Sequence, residues 1–366
     1  MVRRRCIFVM NKLVSILIPQ HLTYQHLTKE QRRTAVKRLT ALWAFCESGL
    51  GGVLHALQMP FTGLVVGGLA VIIITLIAVF AEQQYRLILK SLLLVLMIKV
   101  IISPYTPFTA YIAVGFQAVM GYIIFHLLNI NFFSILLLST IAMLESAMQK
   151  LLILTLFFGS SLWKATNELV FFITSQINLP TSNGSQWIIG IYLLIYFLGG
   201  IAVAWMAYTV MISYTLENKY PVFSDTEYSD PGETVKSKNK IKAWIMLFIL
   251  ISITVLLFVF APNAKQGWMA VIKTLCWTFT VLLAWYLLIS PALTKLIRLV
   301  LNKKISAYGE EIADTLASFP ALKKIAVAAW RKSSAIKGWR RWSFFIAALI
   351  HWSLIYNNGA SIKKLT

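Results

Sequence analysis

The chain is short of charge, and of acid above all. Only 13% of its 366 residues are charged, and Asp and Glu number 13 against 34 Lys and Arg. A soluble domain carries about a quarter charged residues, so an ordinary soluble globular fold is excluded. Cysteine is scarce as well. Cys6, Cys46 and Cys276 stand far apart and no CxxC occurs, which removes a disulfide framework and a thiolate zinc site. There is no P-loop, HExxH, GxSxG or Asp-rich lipid-phosphate motif. Without a P-loop the chain is not its own ATPase by that route, so ATP-driven work would need another subunit. No cofactor and no enzyme activity are implied.

Apolar sequence is what abounds: 58% of residues are hydrophobic and mean hydropathy is +0.74. Apolar runs long enough to cross a bilayer recur along the chain. The expected class is all-α, a polytopic α-helical membrane protein of about eight transmembrane helices with amphipathic interfacial and cytoplasmic helices. Net charge is +21. In a soluble protein that would point to nucleic acid. In a membrane chain Lys and Arg collect in cytoplasmic loops and meet anionic headgroups. The expected partner is therefore the lipid bilayer, with no nucleic acid.

Residues 1–40 are basic, with Glu30 the one acid, and read as a cytoplasmic segment whose start is interfacial and uncleaved. Five spans with very short loops follow, at about 41–59, 63–81, 88–103, 108–128 and 133–158. Their loops make them antiparallel neighbours in one bundle. Residues 161–179 are apolar but diluted by Lys164, Asn167, Glu168 and Gln176, so they form a sixth span or a helix lying in the outer interface. These elements make a compact block over 41–180. A second block, 187–290, holds three helices and a polar loop at 214–242. The tail, 291–366, is basic and amphipathic. Both ends are expected in the cytoplasm, of a bacterial inner membrane. The apolar stretch 342–356 is short for a hydrocarbon core of about 30 Å.

The spans are nearly empty of charge, so the exceptions carry information. They are Glu47, Lys99, Glu145 and Lys150, with His55, Gln58, Gln117, His126 and Gln149 as neutral companions. Such residues in lipid-exposed positions are costly and usually face the bundle. Glu145 and Gln149 lie one turn apart on one helix face. Candidate solute contacts are Glu145, Gln149, Lys150, Lys99, His55, Gln58 and Gln117, and the two lysines would favour an acidic group on the solute. The competing reading has Glu145 and Lys150 pairing with Lys99 or Glu47 to lock the bundle. Glycines 63, 67 and 68 form a small-residue face that permits close helix approach.

In the tail, Ile305, Tyr308, Ile312, Leu316 and Phe319 make one apolar helical stripe. Leu322, Ile325, Ala326 and Ala329 make a second after Pro320. Lys323, Lys324, Arg331 and Lys332 border the second and are candidates for docking a partner, either the membrane surface or a soluble subunit.

The stretches GGVLHALQMPFTGLVVGGLAVI (51–72), SPYTPFTAYIAVGFQAVMGYIIF (103–125) and LESAMQKLLILTLFFGSSLWKA (144–165) give residues 41–180 a texture that resembles the substrate-binding component of energy-coupling-factor (ECF) transporters. That resemblance implies a compact bundle of about six helices, capturing a vitamin, a vitamin precursor or a metal ion from outside. It also implies a separate ATPase subunit. The tail departs from it: the family's transmembrane subunit carries short Ala-Arg-Gly motifs in its coupling helices, and Ala335-Ile336-Lys337-Gly338 matches them poorly. The leading expectation is a transporter component for an unknown small solute, energised by an ATPase subunit. The alternatives are a scaffold subunit of a membrane complex docking partners through its tail, and a lipid-modifying enzyme using His55 with Glu47 or Glu145.

Overall fold

The computed structural model describes residues 28–51, 61–103, 108–176, 183–215 and 307–355, with scattered positions between 280 and 299. Among these residues the chain is helical, with no strand. Expected spans at about 243–261 and 267–290 and the polar loop 214–242 lie wholly or mainly outside the described residues, as do His55, Gln58 and Ile305.

Helix α1 (Lys29–Phe45) starts well before the expected span at 41. Its start is fixed by a capping box: Gln31 N–H donates to Thr28 Oγ1 at 3.2 Å, and Thr28 N–H donates to Gln31 Oε1 at 2.8 Å. Two orphan donors of the first turn are thereby satisfied. A π-helical turn, Cys46–Leu50, follows. The exposed face of α1 carries Lys29, Arg33 and Lys37, while Leu39, Leu42 and Trp43 are fully buried.

Helix α2 (Thr62–Phe80) is apolar on all sides and buried on all sides from Val66 to Ala78. A helix of that kind must be surrounded, and α2 packs against α1, α3 (Arg86–Ile102), α4 (Phe108–Leu128), α5 (Phe132–Ser175) and α6 (Gly184–Thr215). It is the axis of the bundle. Glycine lets its neighbours come close: a methyl group on Gly68 would lie 2.9 Å from Val203 Cγ2 of α6, and one on Gly121 of α4 would lie 2.7 Å from Ile74 Cγ2 of α2.

Helix α5 opens on Asn131, whose Oδ1 accepts from Ser134 N–H at 2.8 Å. The helix breaks at Gly159, with φ 65° and ψ −155°. That backbone region is essentially open to glycine alone. Space is not the reason for glycine here, since an added Cβ would meet nothing. Trp163 Nε1–H donates across the break to Thr155 Oγ1 at 3.2 Å. The part after the break packs on the start of α6: Ser185 N–H donates to Asn167 Oδ1 at 2.7 Å, and a methyl on Gly184 would lie 2.2 Å from Val170 Cβ. The stretch expected as a separate helix over 161–179 is thus, up to Ser175, a second arm of α5, clasped to α6.

Among the described residues, four helices are long and apolar enough to cross a membrane by length and composition: α2, α4, α5 and the Gly184–Ile212 part of α6. On α6, Trp187, Ile191, Leu194, Leu198, Ile201 and Trp205 are exposed at intervals of three and four. They form one apolar outer stripe whose two tryptophans stand about 27 Å apart along the axis.

The tail forms a helical layer: α7 (Gly309–Ala317), α8 (Phe319–Ser333) and α9 (Trp339–Ile355). It packs on α1, with α7 also reaching α3 and α9 reaching α6. Phe319 meets Phe45 edge-on, ring centroids 5.4 Å apart, and Arg38 of α1 donates to the Leu354 carbonyl. Ile312, Leu322, Ile325, Ala328 and Ala329 are buried by these contacts. The apolar stripes expected to lie on the membrane surface or a soluble partner are therefore covered by the chain itself. Pro320 sits in the first turn of α8, where its missing N–H costs nothing.

Candidate functional site

Two polar clusters interrupt the apolar interior. In the first, Lys99 Nζ of α3 donates to Glu47 Oε2 of the π-turn at 2.7 Å, with both side chains 5% exposed. The Lys99 ammonium also lies 5.9 Å from the Tyr111 ring centroid of α4, and Ser103 Oγ–H donates to the Ser48 carbonyl at 3.3 Å. Burial makes each charge dependent on the other. Lys99 is thus held by Glu47, and its charge is balanced before any solute is considered.

The second cluster lies where α2, α4, α5 and α6 meet. A methyl on Gly67 of α2 would lie 2.9 Å from Gln117 Nε2 of α4 and 3.8 Å from Ser146 Oγ of α5. One on Gly63 would lie 3.8 Å from Ser146 Oγ and 3.9 Å from the Tyr196 hydroxyl of α6. Bare glycine backbone thus makes room for three polar side chains. Tyr192 and Tyr196 sit with ring centroids 5.0 Å apart. Phe132 meets Tyr208 at 5.3 Å, and Gly200 meets Thr140. That antiparallel register puts Tyr192 and Tyr196 level with the turn from Glu145 to Gln149. Gln149 donates through Nε2 to Glu145 Oε1.

Two acceptor atoms here have no hydrogen-bond partner. Gln117 is 2% exposed and its Oε1 is unpaired. Glu145 Oε2 is buried and unpaired as well. Buried polar groups normally find partners, and leaving one unmet costs about 1–3 kcal/mol. Two such acceptors, Gln117 Oε1 and Glu145 Oε2, stand at the same level of the bundle.

The structure brings Gln117 to this junction, while Glu145 and Gln149 lie at its level on α5 and pair with each other. Lys99 belongs to the first cluster, and Lys150 is exposed one turn beyond Ser146 on the same row of α5. His126 is exposed and stacked on Tyr122 at 5.8 Å. Ser146, Tyr192 and Tyr196 escaped the sequence reading, because hydroxyl-bearing residues within an apolar run look like packing until helix register is known. Among the tail cations, Lys323 and Arg331 are exposed and Lys324 is half-buried. The Lys332 ammonium lies over the Trp352 ring at 5.4 Å, so it serves the layer itself. Among the described residues, no three His, Cys, Asp or Glu side chains are grouped to hold a metal ion. No family model matches the chain, and no curated protein or solved structure matches it.

Proposed function

We propose that the chain is a membrane-embedded transporter component that binds a small solute at the junction of α2, α4, α5 and α6. The observation that carries this reading is Gln117 Oε1, a buried, unpaired acceptor on the side chain that lies against Gly67, with Glu145 Oε2 buried and unpaired on the α5 residue next to Ser146. Embedding in a bilayer is supported by the four long apolar helices. It is supported further by the outer stripe of α6, whose end tryptophans match the interfacial belts of a hydrocarbon core about 30 Å thick. The finer topology we propose is about eight spans, with both ends cytoplasmic and the second arm of α5 on the outer face. The site then sits in the outer half of the bundle, as the resemblance to ECF substrate-binding components implies. With no P-loop in the sequence, energy would come from a separate ATPase subunit.

A second reading is favoured by the first cluster. Glu47 and Lys99 satisfy each other, as expected of a bundle built for rigidity. A scaffold subunit would be built in this way, docking partners through the exposed Lys323 and Arg331. One experiment separates the two. The full chain is purified in mild detergent, and both co-purifying proteins and small molecules released on denaturation are identified by mass spectrometry. The transporter reading predicts a retained small molecule that is lost from Glu145→Gln, together with an ATP-hydrolysing partner that both forms keep. Protein partners without an ATPase, and no small molecule in either form, move the assignment to the scaffold.

A further inference from the structure

We infer that the turn between α8 and α9 docks on anionic phospholipid headgroups, an inference that rests on the bilayer reading above. The charge pattern argues for it first. Residues 319–355, which form the α8–α9 hairpin, hold seven Lys or Arg and no Asp or Glu. The acids nearest in sequence, Glu310, Glu311 and Asp314, belong to α7, which precedes the opposite end of α8. Lys337 and Arg340 are exposed at the turn and make no ion pair among the described residues. The turn itself is an ordered element. Ile336 N–H donates to the Ser333 carbonyl at 3.0 Å, and Arg341 N–H to the Gly338 carbonyl at 3.2 Å. Gly338, with φ 69°, takes the left-handed conformation that glycine adopts without strain.

The aromatic rings decide between a membrane and a soluble acidic partner. Trp330, near the end of α8, and Trp342, in the first turn of α9, are 42% and 45% exposed. Their ring centroids are 5.5 Å apart, and the Arg341 guanidinium lies 4.3 Å from the Trp330 centroid. Indole is amphipathic and gathers at the headgroup level of a bilayer. Guanidinium and ammonium groups bind the phosphates found there, and the cytoplasmic leaflet is the anionic one. A soluble acidic surface would use the cations and leave the two rings in water. The hairpin also packs on α1, whose exposed face adds Lys29, Arg33 and Lys37.

The test uses the full chain with Cys6, Cys46 and Cys276 replaced and a fluorophore on Ala335→Cys, a position exposed in the turn. It is reconstituted in vesicles of phosphatidylcholine, alone or with one third phosphatidylglycerol, that carry a nitroxide quencher on some headgroups. Quenching is expected to be stronger with phosphatidylglycerol. The double variant Lys337→Gln with Arg340→Gln should lose that difference, and Lys164→Gln, on the second arm of α5, should keep it. Equal quenching in both vesicles, unchanged by the double variant, overturns the inference. So does a label left unquenched in a chain that floats with the vesicles, and the bilayer reading then stands. A chain that does not float with them removes the bilayer reading and the inference together. In detergent, a larger shift of the label's emission with polyglutamate than with phosphatidylglycerol assigns the turn to an acidic protein and overturns the lipid.

Discussion

Replacing Lys99 with Met is expected to destabilise the bundle by about 3–5 kcal/mol, because it strands the Glu47 carboxylate in the interior. Glu47 is 6% exposed and its partner is 2.7 Å away. No other basic side chain has a recorded ion pair with it among the described residues, and water has little access. Glu47→Leu strands Lys99 in the same way, with a cost of similar size. The double variant, Glu47→Leu with Lys99→Met, should recover most of the loss, since a buried ion pair is often replaced by apolar residues of like size without penalty. Unfolding of the full chain by SDS in mixed micelles measures all three against the native sequence. A single variant within about 0.5 kcal/mol of the native chain would mean that the pair is hydrated and contributes little, as exposed pairs do.

A methyl group at Gly200 should be more damaging than one at the other mid-helix glycines of α6, Gly190 and Gly199. Built on the backbone, it lies 2.8 Å from Thr140 Cα and 3.2 Å from the Ser139 carbonyl oxygen. Those are main-chain atoms of α5 and cannot turn aside, so Gly200→Ala must push the two helices apart, at about 1–3 kcal/mol. At Gly199 the nearest atom is Leu64 Cδ1 at 2.6 Å, the end of a flexible side chain, and the effect should be smaller. At Gly190 nothing lies within 4 Å. Gly190→Ala should therefore be neutral or stabilising, by at most the helix-propensity gain of about 1 kcal/mol. The same SDS titration gives the order Gly190→Ala, Gly199→Ala, Gly200→Ala from most to least stable. A Gly200→Ala protein as stable as Gly190→Ala would show that α5 and α6 do not approach as closely as described.

The parts of this fold that were legible in sequence are those that repeat one simple signal. Apolar runs at about 63–81 and 108–128 coincide with α2 and α4, and the run ending near 158 stops at the Gly159 break. Hydropathy is blind to caps, so the start of α1 was missed: Thr28 and Gln31 sit in a basic, polar stretch that reads as a loop. The stripes on α7 and α8 were readable, but their destination was not. An amphipathic face announces that something covers it, and here the cover is α1 at the far end of the chain, joined by α3 on α7 and by α9 on α8. The same limit applied to the charges. Glu47, Lys99 and Glu145 stand out by type, yet nothing local says that Lys99 pairs with Glu47 across 52 positions while Glu145 keeps an open oxygen.

The central claim is that the junction around Ser146 is open to solute rather than sealed packing. Cysteine accessibility tests it most directly. With Cys6, Cys46 and Cys276 replaced, Ser146→Cys and Ala147→Cys are exposed in intact cells to a water-soluble methanethiosulfonate bearing a trimethylammonium group. Ser146 Oγ faces Gly63 and Gly67, whereas Ala147 is completely buried in the apolar core. The account predicts that the cysteine at 146 is modified and that the one at 147 is not. A cysteine at 146 as inert as one at 147 would contradict it, and the junction would be packing alone.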